Sequence, residues 1–127
     1  MMDRSEQLKN DLDNILSKWK VALEKPETEL TRDAAILRFE LAFEVGWKLL
    51  QVLERDEGYE VKSPRQAFQQ AFALGWITDE VIWADILRAR NTAIHVYREA
   101  FAQSLYDELQ KFYEAFKDLQ KALEQLR

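Results

Sequence analysis

Residues Thr31 to Glu54, TRDAAILRFELAFEVGWKLLQVLE, read as one long helix with a broad apolar surface. Ile36, Leu37, Phe39, Leu41, Phe43, Val45, Trp47, Leu49, Leu50 and Leu53 fall around much of its circumference rather than along one stripe. A helix that is apolar on many sides must be covered on many sides, so this stretch predicts the central member of a helical bundle. The flanking sequence supplies the cover. Leu8, Leu12, Ile15, Leu16, Trp19 and Leu23 mark one apolar face of a first helix that ends before Pro26. The last stretch places Leu105, Leu109, Phe112, Phe116, Leu119, Leu123 and Leu126 at alternating spacings of four and three. That heptad seam suits lengthwise packing, either within the chain, as bundle core, or against a second subunit. Tyr106 and Tyr113 beside it read as exposed aromatics available to an oligomer contact.

Two more helices lie between, the first of them short. Gly58 ends the acidic turn after the central helix, and Ser63-Pro64-Arg65-Gln66 opens a short one. Ser63 is its cap, Pro64 its first residue and Gln66 the return limb of a capping box. Gly75 is its stop. Thr78 or Asp79 then caps a fourth helix through Ile82, Ile86 and Ala89. The expected fold is an all-α, antiparallel bundle of about four long helices plus one short helix, in a single domain over residues 1–127.

Composition narrows the function. Three glycines and two prolines argue against an all-β fold, whose turns need them. No apolar run approaches the roughly 20 residues that span a bilayer. The polar start, Met1 to Asn10, shows no signal peptide, and the absence of cysteine suits a cytoplasmic protein. A net charge of −5 argues against a general nucleic-acid binder with a basic surface. The charge is uneven, however. Val81 to Arg98 holds Arg88, Arg90 and Arg98 against Asp85, a local +2 on a remainder of −7. A small cationic site on an acidic body fits local phosphate capture.

That site is Arg90-Asn91-Thr92-Ala93-Ile94-His95-Val96-Tyr97, which contains the only histidine. Histidine is the side chain that ordinarily exchanges a proton near neutral pH, and arginine can hold a phosphate through two parallel hydrogen bonds. Tyr97 adds a phenol. These are parts for metal-free chemistry on a phosphodiester. They equally make a polar helix end with His95 hydrogen-bonded and inert, and spacing alone does not choose between the two.

On an unbroken helix, at about 100° per residue, Arg90 and His95 point roughly 140° apart, whereas Arg90 and Tyr97 fall within about 20°. Arg88, Asn91 and His95 share a neighbouring face. Arg90 and His95 can serve one phosphate only if the helix ends between them or a second chain completes the site. No Gly or Pro demands an end there, so a composite site across a dimer is preferred. The chemistry agrees. Cleaving RNA through its 2′-hydroxyl needs a base and an acid, and one histidine per chain supplies one of them. Two-fold symmetry would bring two His95 and two Arg90 side chains together. Arg90 would stabilise transition-state charge, with Arg88, Asn91 and Tyr97 as supporting contacts.

Other sites are poorer. One His, no Cys and no Glu-x-x-His pair leave no metal cage, so no metal or other cofactor is expected. No glycine-rich phosphate loop exists. Glu40, Glu44 and Lys48, spaced by four, read as a charged stripe supporting the long helix.

Arg90 through Tyr97 resembles the Arg-x4-His-x-Tyr signature of HEPN-domain proteins. Arg38 to Lys48, Ser63 to Phe68 and Gly75-Trp76-Ile77 resemble the group called nucleotidyltransferase substrate-binding proteins, which includes HepT-like toxins; together the likeness covers nearly the whole chain. The resemblance implies a helical bundle, commonly a homodimer or a higher even oligomer, whose partner is a separate minimal nucleotidyltransferase. It implies a metal-independent ribonuclease acting as the toxin of a toxin–antitoxin pair. It makes Arg90 and His95 the catalytic pair, Asn91 a polar neighbour, and Tyr97 the candidate for AMP transfer by the silencing partner. The competing readings are a non-catalytic subunit that presents nucleotide or substrate to that enzyme, and a plain interaction bundle working through the heptad seam.

Overall fold

Asp3 caps the first helix, α1 (Arg4–Glu24), by accepting the Glu6 N–H at 2.9 Å, and the chain leaves it extended at Lys25, ahead of Pro26. The structure is a computed structural model that describes residues 2–126; Met1 and Arg127, the ends of the expected 1–127 domain, lie outside the described residues. The central helix, α2 (Glu29–Asp56), starts earlier than its apolar pattern. Thr28 accepts the Thr31 N–H at 3.1 Å while the Thr31 hydroxyl accepts the Thr28 N–H at 2.8 Å, so Thr31 closes a reciprocal cap rather than opening the helix. Gly58, at φ +94°, turns the chain beyond it.

The third helix, α3 (Pro64–Ala73), has Ser63 as its cap and proline in its first turn. The return limb of the expected box is displaced by one residue. The Gln66 side chain accepts the N–H of Lys62 at 2.8 Å instead of that of Ser63. Gly75, at φ +79°, follows the end of α3, and Asp79 rather than Thr78 caps α4 (Glu80–Thr92), accepting the Ile82 N–H at 3.1 Å. A single 3-10 turn, Ala93–His95, separates α4 from the last helix, α5 (Glu99–Glu124).

The helices form an all-α bundle in which α1 and α5 pack on α2, and α3 and α4 complete the wall. Trp19 of α1 sits where three helices meet. Its ring lies 6.0 Å from Phe39, 5.8 Å from Phe116 and 5.5 Å from Tyr113, and it is fully buried. Truncating such a side chain typically costs about 3–5 kcal/mol, so this junction decides whether the bundle closes. Phe116 also meets Trp83 of α4 at 4.9 Å, which ties α4 to the same centre. Gly46 allows the approach of α5 to α2, because a Cβ there would stand 3.1 Å from Phe116 Cε1.

The heptad seam is covered within the chain. Leu105, Leu109, Phe112, Phe116, Leu119 and Leu123 are buried, and Leu126 is partly so. Tyr106 and Tyr113, expected to be exposed, are partly buried against the core, Tyr113 edge-on to Trp19. The length of α5 is therefore used by its own bundle. No helix among the described residues is long and apolar enough to cross a membrane.

Candidate functional site

The Arg90 motif lies where α4 stops, and the helix ends between Arg90 and His95. This corrects the unbroken-helix geometry, and neither Gly nor Pro causes it. The Thr92 hydroxyl turns back to donate to the Ala89 carbonyl at 3.0 Å, a local bond that competes with helix continuation. Ala93, only 3% exposed, is drawn into the core, which tightens the chain into a 3-10 turn. The Arg98 N–H then closes on the His95 carbonyl at 3.0 Å, and α5 begins.

The restart is held from a distance. Arg32, buried in the first turns of α2, grips Glu99 at the head of α5 through both terminal nitrogens, with Nη2 to Oε2 at 2.9 Å. This two-point geometry is what a guanidinium offers a carboxylate. Each partner favours the charged form of the other: Glu99 holds the Arg32 pKa above its ordinary value, and Arg32 holds that of Glu99 below.

Arg90 is fixed from the same helix. Its Nη2 donates to Glu44 Oε1 at 2.7 Å, and its guanidinium lies 4.9 Å from the centre of the Phe43 ring. The second oxygen of Glu44 receives a long hydrogen bond from Trp47 Nε1, at 3.4 Å. One turn earlier, burial raises the carboxyl pKa of Glu40 while the charge of Arg90 opposes the rise. The expected Glu40–Glu44–Lys48 stripe thus includes a tertiary contact: Glu44 turns to α4 and supports Arg90.

The other expected site residues lie in three places. His95 and Tyr97 are exposed neighbours, their rings 6.1 Å apart, and Tyr97 is 73% exposed with Arg98 lying 5.8 Å from its ring. Phe101, in the first turn of α5, also lies 5.8 Å from the His95 ring. Ile94, beside them, is 72% exposed. Asn91 is exposed at the end of α4. Arg88 is drawn elsewhere: it pairs with Asp85 and lines a groove between α4 and α5, while the Arg90 guanidinium packs against Phe43 of α2. Among the described residues, no three His, Cys, Asp or Glu side chains gather as metal ligands.

Phe43, Glu44, Arg32, Glu99 and Phe101 were not assigned to the site from the sequence. For Phe43 and Glu44 a signal exists. They lie three and four positions after Glu40, on the face that α2 turns toward Arg90, within a segment already singled out by resemblance.

A comparison with known families matches residues 4–125 to the family described as nucleotidyltransferase substrate binding protein like. The chain belongs to that family. Among solved structures, this substrate-binding-protein-like chain is similar to the crystal structure of a protein from Thermus thermophilus, at 28% identity and a TM-score of 0.83. The likeness covers 90% of this chain and 99% of the other. No curated protein matches it.

Proposed function

We propose that this member of the family is one HEPN-like domain that cleaves RNA as a homodimer and pairs with a separate minimal nucleotidyltransferase. One observation carries the reading most. Exposed His95 and Tyr97 sit on the turn directly after the helix that carries Arg90, and Glu44 and Phe43 hold Arg90 apart from them, as a site completed by a second copy requires. Exposed His95 supplies one proton-transfer group and Arg90 the cation for the phosphate. The second imidazole comes from a partner copy, with exposed Ile94 as apolar contact beside the cleft.

In this mechanism one His95 takes the proton of the ribose 2′-hydroxyl, and the oxygen attacks the adjacent phosphorus. The 5′-oxygen leaves with a proton from the other His95, and a 2′,3′-cyclic phosphate remains. Arg90, its direction set by Glu44 and Phe43, stabilises charge on the equatorial oxygens. Asn91 binds a phosphate oxygen, Arg88 supports the flanking chain, and Tyr97 positions the phosphate and is the acceptor for AMP from the silencing partner. The acting unit is the toxin half of a toxin–antitoxin pair, working in the cytoplasm.

A second reading has its own support. Glu44 already neutralises Arg90 in the free chain, as suits a non-catalytic subunit that presents nucleotide or substrate to the nucleotidyltransferase. Purified dimer with single-stranded RNA separates the two. Cleavage that disappears in His95→Ala supports the ribonuclease; wild-type protein that binds the nucleotidyltransferase but leaves RNA intact supports the subunit. A protein that is monomeric by light scattering at micromolar concentration would sink the composite mechanism.

A further inference from the structure

A groove of about 410 Å³ runs between α4 and α5. Its volume lies toward the small end of ligand pockets, which span about 300–1,000 Å³. Phe101 belongs both to this groove and to the surroundings of His95, so the groove continues from the site of the proposed chemistry. Ala89, Leu105 and Phe112 give it apolar walls.

Charge decides what the groove suits. Its two cations are each paired with a carboxylate that also lines it, Arg88 with Asp85 and Lys111 with Glu108. The lining therefore carries no net charge and presents no unpaired cation to a phosphate. It presents instead Phe101, a residue 44% exposed, with Thr92 and Ser104 as hydroxyl-bearing lining. Thr92 already donates its proton to Ala89, which leaves its oxygen free to accept. An aromatic side chain and hydrogen-bonding groups lining one groove are what an unpaired nucleobase requires.

We infer that this groove seats the nucleobase next to the scissile phosphate, stacked on Phe101, and so sets the base preference of cleavage. The inference rests on the ribonuclease reading above. It adds that the substrate is single-stranded there, because a base held in a duplex cannot stack on a side chain.

The test uses full-length protein in a His95→Ala background, which removes turnover, and short fluorescein-labelled oligonucleotides of one base each. Anisotropy then reads affinity. Phe101→Leu keeps an apolar side chain on the groove but removes the ring, and should bind the preferred oligonucleotide about tenfold more weakly, equal to about 1.4 kcal/mol. Phe101→Trp should bind as well as Phe101 or better. In the active background, Phe101→Leu should flatten the ratio of kcat/KM among the bases, which a merely structural role would not do. Equal affinity and unchanged base ratios in Phe101→Leu would overturn the groove while wild-type cleavage left the ribonuclease reading intact. Phe101-dependent binding without any wild-type cleavage would support the groove and remove the ribonuclease. Absence of single-stranded RNA binding would overturn the groove assignment.

Discussion

Glu44 accepts a hydrogen bond from Arg90 at 2.7 Å across 46 positions of sequence, joining the middle of the central helix to the end of α4. Both side chains are about 40% exposed, so the pair contributes little to stability, on the order of 0–1 kcal/mol. Its effect should fall on function. Glu44→Ala is expected to lower kcat/KM for RNA by about tenfold with a melting temperature within a few degrees of wild type, since small misplacements of a positioned group are costly. A variant that melts much earlier with unaltered turnover would show the contact to be structural only.

His95→Ala should lose about 10²–10⁴-fold in rate, the range typical of a removed general acid or base. Arg90→Lys should remain as inactive as Arg90→Ala, because an ammonium lacks the planar fork. Wild-type products should end in 2′,3′-cyclic phosphate, and cleavage should persist in EDTA because base, acid and cation are all side chains. Mass spectrometry of the fragments and a chelator titration check both points.

Tyr97 should separate turnover from silencing. Tyr97 is exposed, and Tyr97→Phe keeps the ring beside His95 and removes the hydroxyl. Cleavage should change by less than about tenfold, since no proton transfer is assigned to that oxygen. Incubation with the nucleotidyltransferase and ATP should add AMP to wild type and none to Tyr97→Phe by intact-mass measurement. Addition at another residue would withdraw Tyr97 from the proposal.

Glu54 predicts a pH dependence of stability independent of the motif. It is fully buried in the last turns of α2, neither carboxyl oxygen has a hydrogen-bond partner among the described residues, and burial pushes its pKa from 4.5 up to about 8. Between those values the folded chain keeps a proton that the unfolded chain releases. Its contribution is therefore fully present below about pH 4.5 and is lost as pH rises through about 8. Glu54→Gln mimics the protonated form and should flatten the melting temperature between pH 5 and about 9, gaining several degrees on wild type at the alkaline end. Parallel curves for the two proteins would contradict this assignment.

The parts of the fold that were legible in the sequence are those written as local periodicity. The α5 seam is buried because leucines and phenylalanines recur on one stripe, and Ser63, Pro64 and Asp79 start helices because capping acts over three residues. The break after Thr92 was not legible. It depends on the burial of Ala93 and on Arg32 gripping Glu99 from 67 positions away. The same reason hid the role of Glu44. An i, i+4 charge ladder looks self-sufficient until another helix places an arginine beside it. Tyr106 and Tyr113 were misread because one helix wheel cannot show how far a neighbouring helix overlaps its flank.

The grips of Glu44 on Arg90 and of Arg32 on Glu99 have a joint consequence. Both are ion pairs, and both anchor to α2, one on each side of the segment that carries His95 and Tyr97. Two electrostatic fastenings flank that segment on either side of its buried Ala93, while the bundle beneath is closed by aromatic packing. Salt weakens the fastenings and leaves the packing nearly untouched. Ionic strength thus tunes the tautness of the His95 segment on a body whose melting barely registers the change.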